Sequence, residues 1–368
     1  MRATRHTKVE IKTAPDSWST VREATDLFGK MRNNMKNAGS MSQVEGFFTN
    51  RVVVFALATL CCCLWGAAYP GIKSGYELFA IAADDVPSKM VFAGYRFFIA
   101  GVVLLVISAA MGTRIFRLGV SDLKGLACLG LTQTTLQYIF FYLGLAHTTG
   151  SKGAILNGTV TFFSVILAHF LFRNERLRPW RAMGCLVGFA GVMLVNFNAD
   201  MDFNFSWAGE GNVVLAAFIF AASSIYGKRL SQRMDVILMA GWQLTIGGAV
   251  LVAIGYGTGG DLGQISVPAL SVLAFLIFLS SAAFSLWSVL LKYNEVGIVT
   301  IFNFLTPVSG AVLSGLVLHE NIWDVKLLVS LLFVCAGIWM VTNDRSKKAP
   351  AVEETCDDCD LSVATASK

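Results

Sequence analysis

Charged residues are scarce in this chain. Asp, Glu, Lys and Arg make up 14% of 368 residues, where a soluble domain carries about a quarter. Hydrophobic residues reach 55%, and the solvent that suits such a composition is lipid. The formal net charge is only +5, and the basic residues fall in short stretches between apolar runs. That placement excludes a nucleic-acid partner and reads as membrane orientation instead. Acids are missing from the depth of every long apolar run, which argues against a proton-coupled carrier, since such carriers place ionisable groups along the path. Two facing acids, or Ser with His at matched depth, are also missing. A membrane-embedded enzyme is therefore not expected, and no catalytic residue is assigned.

The cysteines do not form a disulfide framework. Cys61, Cys62, Cys63, Cys128, Cys185 and Cys335 sit inside apolar runs, where a thiol behaves as a small apolar group. Cys356 and Cys359 form one Cys-x-x-Cys in a polar tail. Without a second pair or a histidine this is a weak metal signal, so no metal or cofactor is expected. Residues 1–50 are polar and of mixed charge, with no apolar core of a signal peptide. They read as a cytoplasmic tail or as an over-extended start.

Long apolar segments dominate the rest. Crossing about 30 Å of hydrocarbon takes roughly 20 residues of helix. Such segments occur at 52–74, 88–111, 121–145, 151–172, 179–197, 207–228, 235–257, 267–291, 297–318 and 324–343. Turn and cap residues such as Asp84-Asp85-Val86-Pro87 separate them. With the N terminus inside, fourteen Lys and Arg residues fall in cytoplasmic loops or ends, from Arg114 to Lys348, against four outside (Lys73, Lys89, Lys152, Lys326). The bias predicts that both termini are cytoplasmic.

Two stretches 145 residues apart match. Thr161-Phe162-Phe163 opens an apolar run ending at Glu175, and Thr306-Pro307-Val308 opens one ending at Glu320. Five spans separate the copies, so the second lies upside down relative to the first, as in transporters built from inverted repeats. The expected fold class is an all-α integral membrane protein of ten transmembrane helices in two inverted five-helix repeats. Its parts are a polar tail (1–51), a first repeat (52–197), a second repeat (207–343) and a C-terminal tail (344–368), both tails cytoplasmic.

The chain resembles the EamA-type branch of the drug/metabolite transporter superfamily. The likeness rests on Leu64-Trp65-Gly66, Tyr95-Arg96-Phe97, the run from Tyr142 to Gly150, and the two span-end motifs. It implies a ten-helix basket with a central cavity lined mainly by spans 1, 3, 4, 6, 8 and 9, and transport of small organic solutes such as amino acids. Phe162 stands where the second half has Pro307. A missing proline restores a backbone hydrogen bond, so span 4 is expected to hinge less than span 9.

Polar residues inside spans face protein or a water-filled cavity. Gln133 and Gln137, at i and i+4, share a helix face with Tyr138 beside them. They could meet a solute or hold the bundle together. Asn157 and Asn303 stand at nearly matched repeat positions, for recognition or for a structural bond. Trp65, beside Gly66, Tyr69 and Pro70, reads as a cavity wall, and Trp287 as packing. Arg96 could hold a substrate carboxylate or snorkel to the headgroups. Glu175 is expected to pair with Arg176, Arg178 or Arg181 at a membrane face, and His169 to be a structural partner. Gly184, Gly188 and Gly191 allow close helix contact, with another helix of this chain or with a second copy, so the oligomeric state stays open.

The expected partners are a small-molecule substrate and the lipid bilayer. The cargo reads as a neutral or zwitterionic solute, since a phosphate site needs clustered basic groups and Arg96 stands alone. A nucleotide-sugar or sugar-phosphate carrier of the same fold is the runner-up. A structural or receptor-like membrane protein is the non-transport alternative. A bacterial inner membrane and export are the expected setting.

Overall fold

The computed structural model describes residues 42–173, 175–197, 204–318 and 325–343. Glu320 and the Cys356–Cys359 pair lie outside these. The chain divides into two units, residues 1–56 and 57–368. In the first, the described residues form α1 (42–49) and the opening of α2 (Arg51–Leu78).

The second unit holds the remainder of α2 and every later helix. α3 spans Val86–Ala110. α4 (Val120–Leu129), a π-helical segment (Gly130–Leu136) and α5 (Gln137–Ala146) follow without a gap. α6 (Gly150–Asn157) and α7 (Thr159–Leu171) are parted only by Gly158. Next come α8 (Pro179–Asn196), a π-helical turn (Trp207–Gly211) running into α9 (Asn212–Ser231), α10 (Val236–Gly257) and α11 (Val267–Tyr293). α12 (Val296–Thr300), a 3-10 segment (Ile301–Phe304) and α13 (Leu305–Leu318) form one rod, and α14 covers Val325–Thr342. No strand occurs among the described residues.

Helix starts follow the cap chemistry of the sequence. Asp85 accepts from Ser88 N at 3.0 Å ahead of α3, with Pro87 in the first turn. Asp235 accepts from Leu238 N at 2.9 Å ahead of α10. Each cap satisfies an N–H that the helix cannot bond internally.

Among the described residues, eight helices are long and apolar enough to cross a membrane. Of the ten expected spans, those at 121–145 and 179–197 are helical but fall short of that criterion. The π segment interrupts the first, and the second opens on Pro179, Trp180 and Arg181. Large apolar side chains point outward from many helices: Val106 is 62% exposed, Phe170 77%, Phe278 66% and Leu332 69%. Water would not tolerate so many exposed apolar faces, whereas hydrocarbon does. The protein is a multi-pass membrane protein.

Helix pairs approach through glycine. α3 packs along α10, and α8 along α14. A Cβ added at Gly248 would lie 2.3 Å from Phe98 N, and one at Gly337 2.6 Å from Gly184 O. Small residues at such contacts let backbones close on each other and gain dispersion contacts, which lipid-solvated helices need for association. The Gly184–Gly191 stripe thus finds α14 of its own chain. Gly248→Ala forces backbone apart, and overpacking of this kind costs about 1–3 kcal/mol. Earlier loss of monodisperse protein on heating in detergent is the expected result.

Candidate functional site

A cavity of about 230 Å³ opens among α2, α3, α5, α6, α9, α11 and the α12–α13 rod. Its lining reaches Tyr76 near the end of α2, Lys89 at the start of α3, Leu145 at the end of α5 and Ala154 in α6. These helix ends all belong to one face. Toward the other face the lining stops at Asn303, seven residues beyond Val296, or about 10 Å at 1.5 Å per residue. The space therefore reaches one side of the helix layer and is closed from the other.

Two of its walls are broken helices. Gly158 interrupts span 4, and the Thr159 hydroxyl donates to Leu156 O at 2.5 Å, a back-bond of the kind that bends helices. A Cβ at Gly158 would stand 3.3 Å from the Phe189 ring. The irregular turn thus falls at a glycine packed on a ring, where no proline stands. In the second half the 3-10 segment Ile301–Phe304 carries Asn303, and Pro307 has no N–H for the carbonyl four residues earlier. Asn157 and Asn303 sit at these two breaks, and both line the cavity.

Six of the seven sequence-predicted site residues meet here: Trp65, Arg96, Gln137, Tyr138, Asn157 and Asn303. Trp65 packs edge-on against Phe220, Phe284 and Trp287, with centroids 6.2, 5.9 and 4.9 Å away. Trp287, 2% exposed, supports it from behind. Gln137 Oε1 and Asn303 Nδ2 are buried and find no partner among the described residues. An unsatisfied buried amide is costly, and both of these belong to residues of the cavity wall.

Gln133 does not join them. Its amide donates to Ser224 Oγ of α9 at 3.0 Å, which makes it bundle glue. It lies in the π segment, whose wider turn breaks the i, i+4 register with Gln137. No composition or spacing signal marked that segment.

Arg96 is 2% exposed and does not snorkel. Its Nε donates to Ser280 Oγ at 2.6 Å, and its guanidinium lies 4.8 Å from the centre of the Phe97 ring. The bond to α11 and the stack on Phe97 hold the charge inside the bundle. Lys89 also lines the cavity, a residue the sequence reading assigned only to an outer loop. Its spacing of seven from Arg96 on one helix was the signal.

Carboxylates clamp each face. On the closed side Glu175, 6% exposed, accepts from Lys228 Nζ at 2.7 Å and from Val296 N at 2.7 Å. Beside it Arg181 pairs with Glu295 at 2.7 Å. The expected pairing of Glu175 with loop arginines is therefore corrected, because the buried N terminus of α12 supplies orphan N–H donors and a better-placed anion site. On the cavity side Glu210 accepts from Thr148 at 2.7 Å, Ser206 N at 2.9 Å and Lys152 at 3.3 Å. Thr161 of the first half donates across to Thr300 O at 3.0 Å. His169 accepts from Leu177 N at 3.1 Å, a structural role.

The EamA-like transporter pattern matches residues 53–197 and 207–343. The chain belongs to the EamA-like transporter family. Similar proteins bear transporter names: YvbV of Bacillus subtilis, an "uncharacterized transporter", is 27% identical over 78% of this chain and 92% of its own. A WAT1-related chloroplastic protein of Arabidopsis thaliana is 26% identical over 80% of this EamA-like chain and 69% of its own. A crystal structure with 18% identity overlays at a TM-score of 0.67, covering 80% of this chain and 97% of that one, so the fold is shared. This EamA-like protein is a membrane transporter of the drug/metabolite superfamily.

Proposed function

We propose that this protein carries a small, carboxylate-bearing organic solute across the bilayer by alternating access of two inverted five-helix repeats, residues 52–197 and 207–343. The observation that carries the reading is the cavity with buried Arg96 in its wall, which reaches one face, while the Glu175–Lys228 pair ties helices together at the other. A carboxylate fits the two-pronged donor geometry of a guanidinium.

Several contacts support the inverted repeat with ten spans. Elements at matched repeat positions pack on each other: α3 on α10, α8 on α14, and α7 on α12. The two breaks hold Asn157 and Asn303, as discontinuous helices do at transporter sites. With both termini cytoplasmic, as the loop charges predict, the cavity faces outward and the Glu175 clamp lies inside. Export across a bacterial inner membrane is the setting we favour.

Reconstituted liposomes offered labelled amino acids and related carboxylates test this. Saturable flux above protein-free vesicles is expected. Flux confined to phosphorylated solutes would support the sugar-phosphate carrier instead, and no flux of any solute a structural or receptor role.

A further inference from the structure

Counting charges around the cavity narrows the cargo. This inference rests on the transport reading above and concerns the same site. Among the described residues two cations line the space, Lys89 and Arg96, and no Asp or Glu does. They lie seven residues apart on α3, nearly on one face and about 10 Å apart along its axis. Neither forms an ion pair among the described residues. Arg96 uses Nε on Ser280, which itself donates to Leu276 O at 2.7 Å, and its terminal nitrogens make no hydrogen bond to a described residue. Lys89 is half-buried, donates to Ala83 O, and lies 5.4 Å from the Tyr76 ring centre.

Two acids precede Lys89 in the turn before α3. Asp84 is exposed, Asp85 is half-buried and engaged in capping Ser88 N, and neither lines the cavity. An uncompensated guanidinium in a desolvated wall is unfavourable, and an entering anion relieves that cost. An ammonium group finds no carboxylate among the described lining residues. Tyrosine faces line the space, but two nearby cations oppose its charge.

We propose that the cargo is a net-negative organic monocarboxylate with a compact apolar body, distinct from the corresponding zwitterion. The carboxylate seats on the free terminal nitrogens of Arg96, and the apolar body lies against Trp65, Tyr138 and Phe284. Lys89, nearer the mouth, attracts the anion along the path between Arg96 and the open face, a role expressed in association rate and salt dependence when solute is offered from that face. The expectation of a neutral or zwitterionic solute rested on Arg96 standing alone. The fold adds Lys89 to the same space.

Paired solutes that differ only by an amino group test this: 3-phenylpropionate against phenylalanine, and 4-methylpentanoate against leucine. Phenethylamine and phenyl phosphate complete the panel. Calorimetric titration of the purified protein is expected to show each acid binding at least about tenfold more tightly than its amino acid, with no binding of the amine. In liposomes, flux of the bound acid should respond to an imposed membrane potential, because net charge moves. Lys89→Gln should slow initial uptake at low salt several-fold and flatten its salt dependence, and Lys89→Arg should restore both. Equal or tighter binding of phenylalanine and leucine overturns the inference, as does binding of phenyl phosphate alone or of no acid. If the amino acids are carried and the acids are not, transport stands and this inference falls. If the acids bind but nothing is carried, the anion site stands and the transport reading falls.

Discussion

Arg96→Met is expected to weaken solute binding by roughly 30- to 3000-fold, the equivalent of about 2–5 kcal/mol for losing one partner of a buried charge pair. The same change should leave the protein as stable as before, or more so. Without solute, the guanidinium has, among the described residues, Ser280 and the Phe97 face to offset its burial, and replacing a buried charge by an apolar side chain of similar volume is often neutral or stabilising. Affinity and stability therefore move in opposite directions, which a purely structural arginine would not produce. Titration of the same solute, with thermal unfolding of the same preparation, reads both. Unchanged transport at normal expression would remove Arg96 from the site. Arg96→Lys should recover little, because an ammonium lacks the planar fork.

Glu175→Ala is expected to shift the protein toward the conformation open on the Glu175 side. The substitution strands Lys228, left with Asn294 O at 2.7 Å and the Phe172 ring, and orphans the N–H of Val296. Breaking a buried pair in this way costs about 3–5 kcal/mol. Opening that side lets water solvate these groups, so the cost falls on the closed state alone. A shift of that size changes the population ratio by roughly 150- to 3000-fold. A single cysteine at Phe220→Cys, in a background without other cysteines, reports it through an impermeant thiol reagent added to either side. Exchanging the charges as Glu175→Lys with Lys228→Glu should not rescue, because a lysine cannot accept from Val296 N. Full rescue by the exchange would reduce the clamp to a simple ion pair. Glu175→Gln, which keeps an acceptor and loses the charge, should fall between.

These two residues also mark where sequence reasoning was strong and where it was not. Arg96 was legible as a deep charge in an apolar run, since the cost of charge in lipid is local and needs no knowledge of neighbours. Its burial against α11 was not, because Ser280 lies 184 residues away. Glu175 stood out as half of a repeat, yet its partners were misassigned. Arginines near in sequence are unequal to an N terminus brought close by the fold. Gln133 failed for a different reason, since one π-helical turn changes which way a side chain faces and leaves no mark in composition. Lys89 was read by sign and loop position, and its cavity role emerged only once α2, α3 and α5 were side by side.

The sequence by itself determined that this chain lives in a bilayer, where its helices begin and which way its loop charges incline. Each of these follows from transfer free energies and cap chemistry within a few residues. It also pointed to six of the residues that line the cavity, because a polar group in an apolar run must face something other than lipid. Only the tertiary structure decided which polar groups meet each other, which helices break, and which face is closed. Those outcomes depend on contacts between residues tens to hundreds of positions apart, where glycine lets backbones touch and one carboxylate chooses among several cations by geometry.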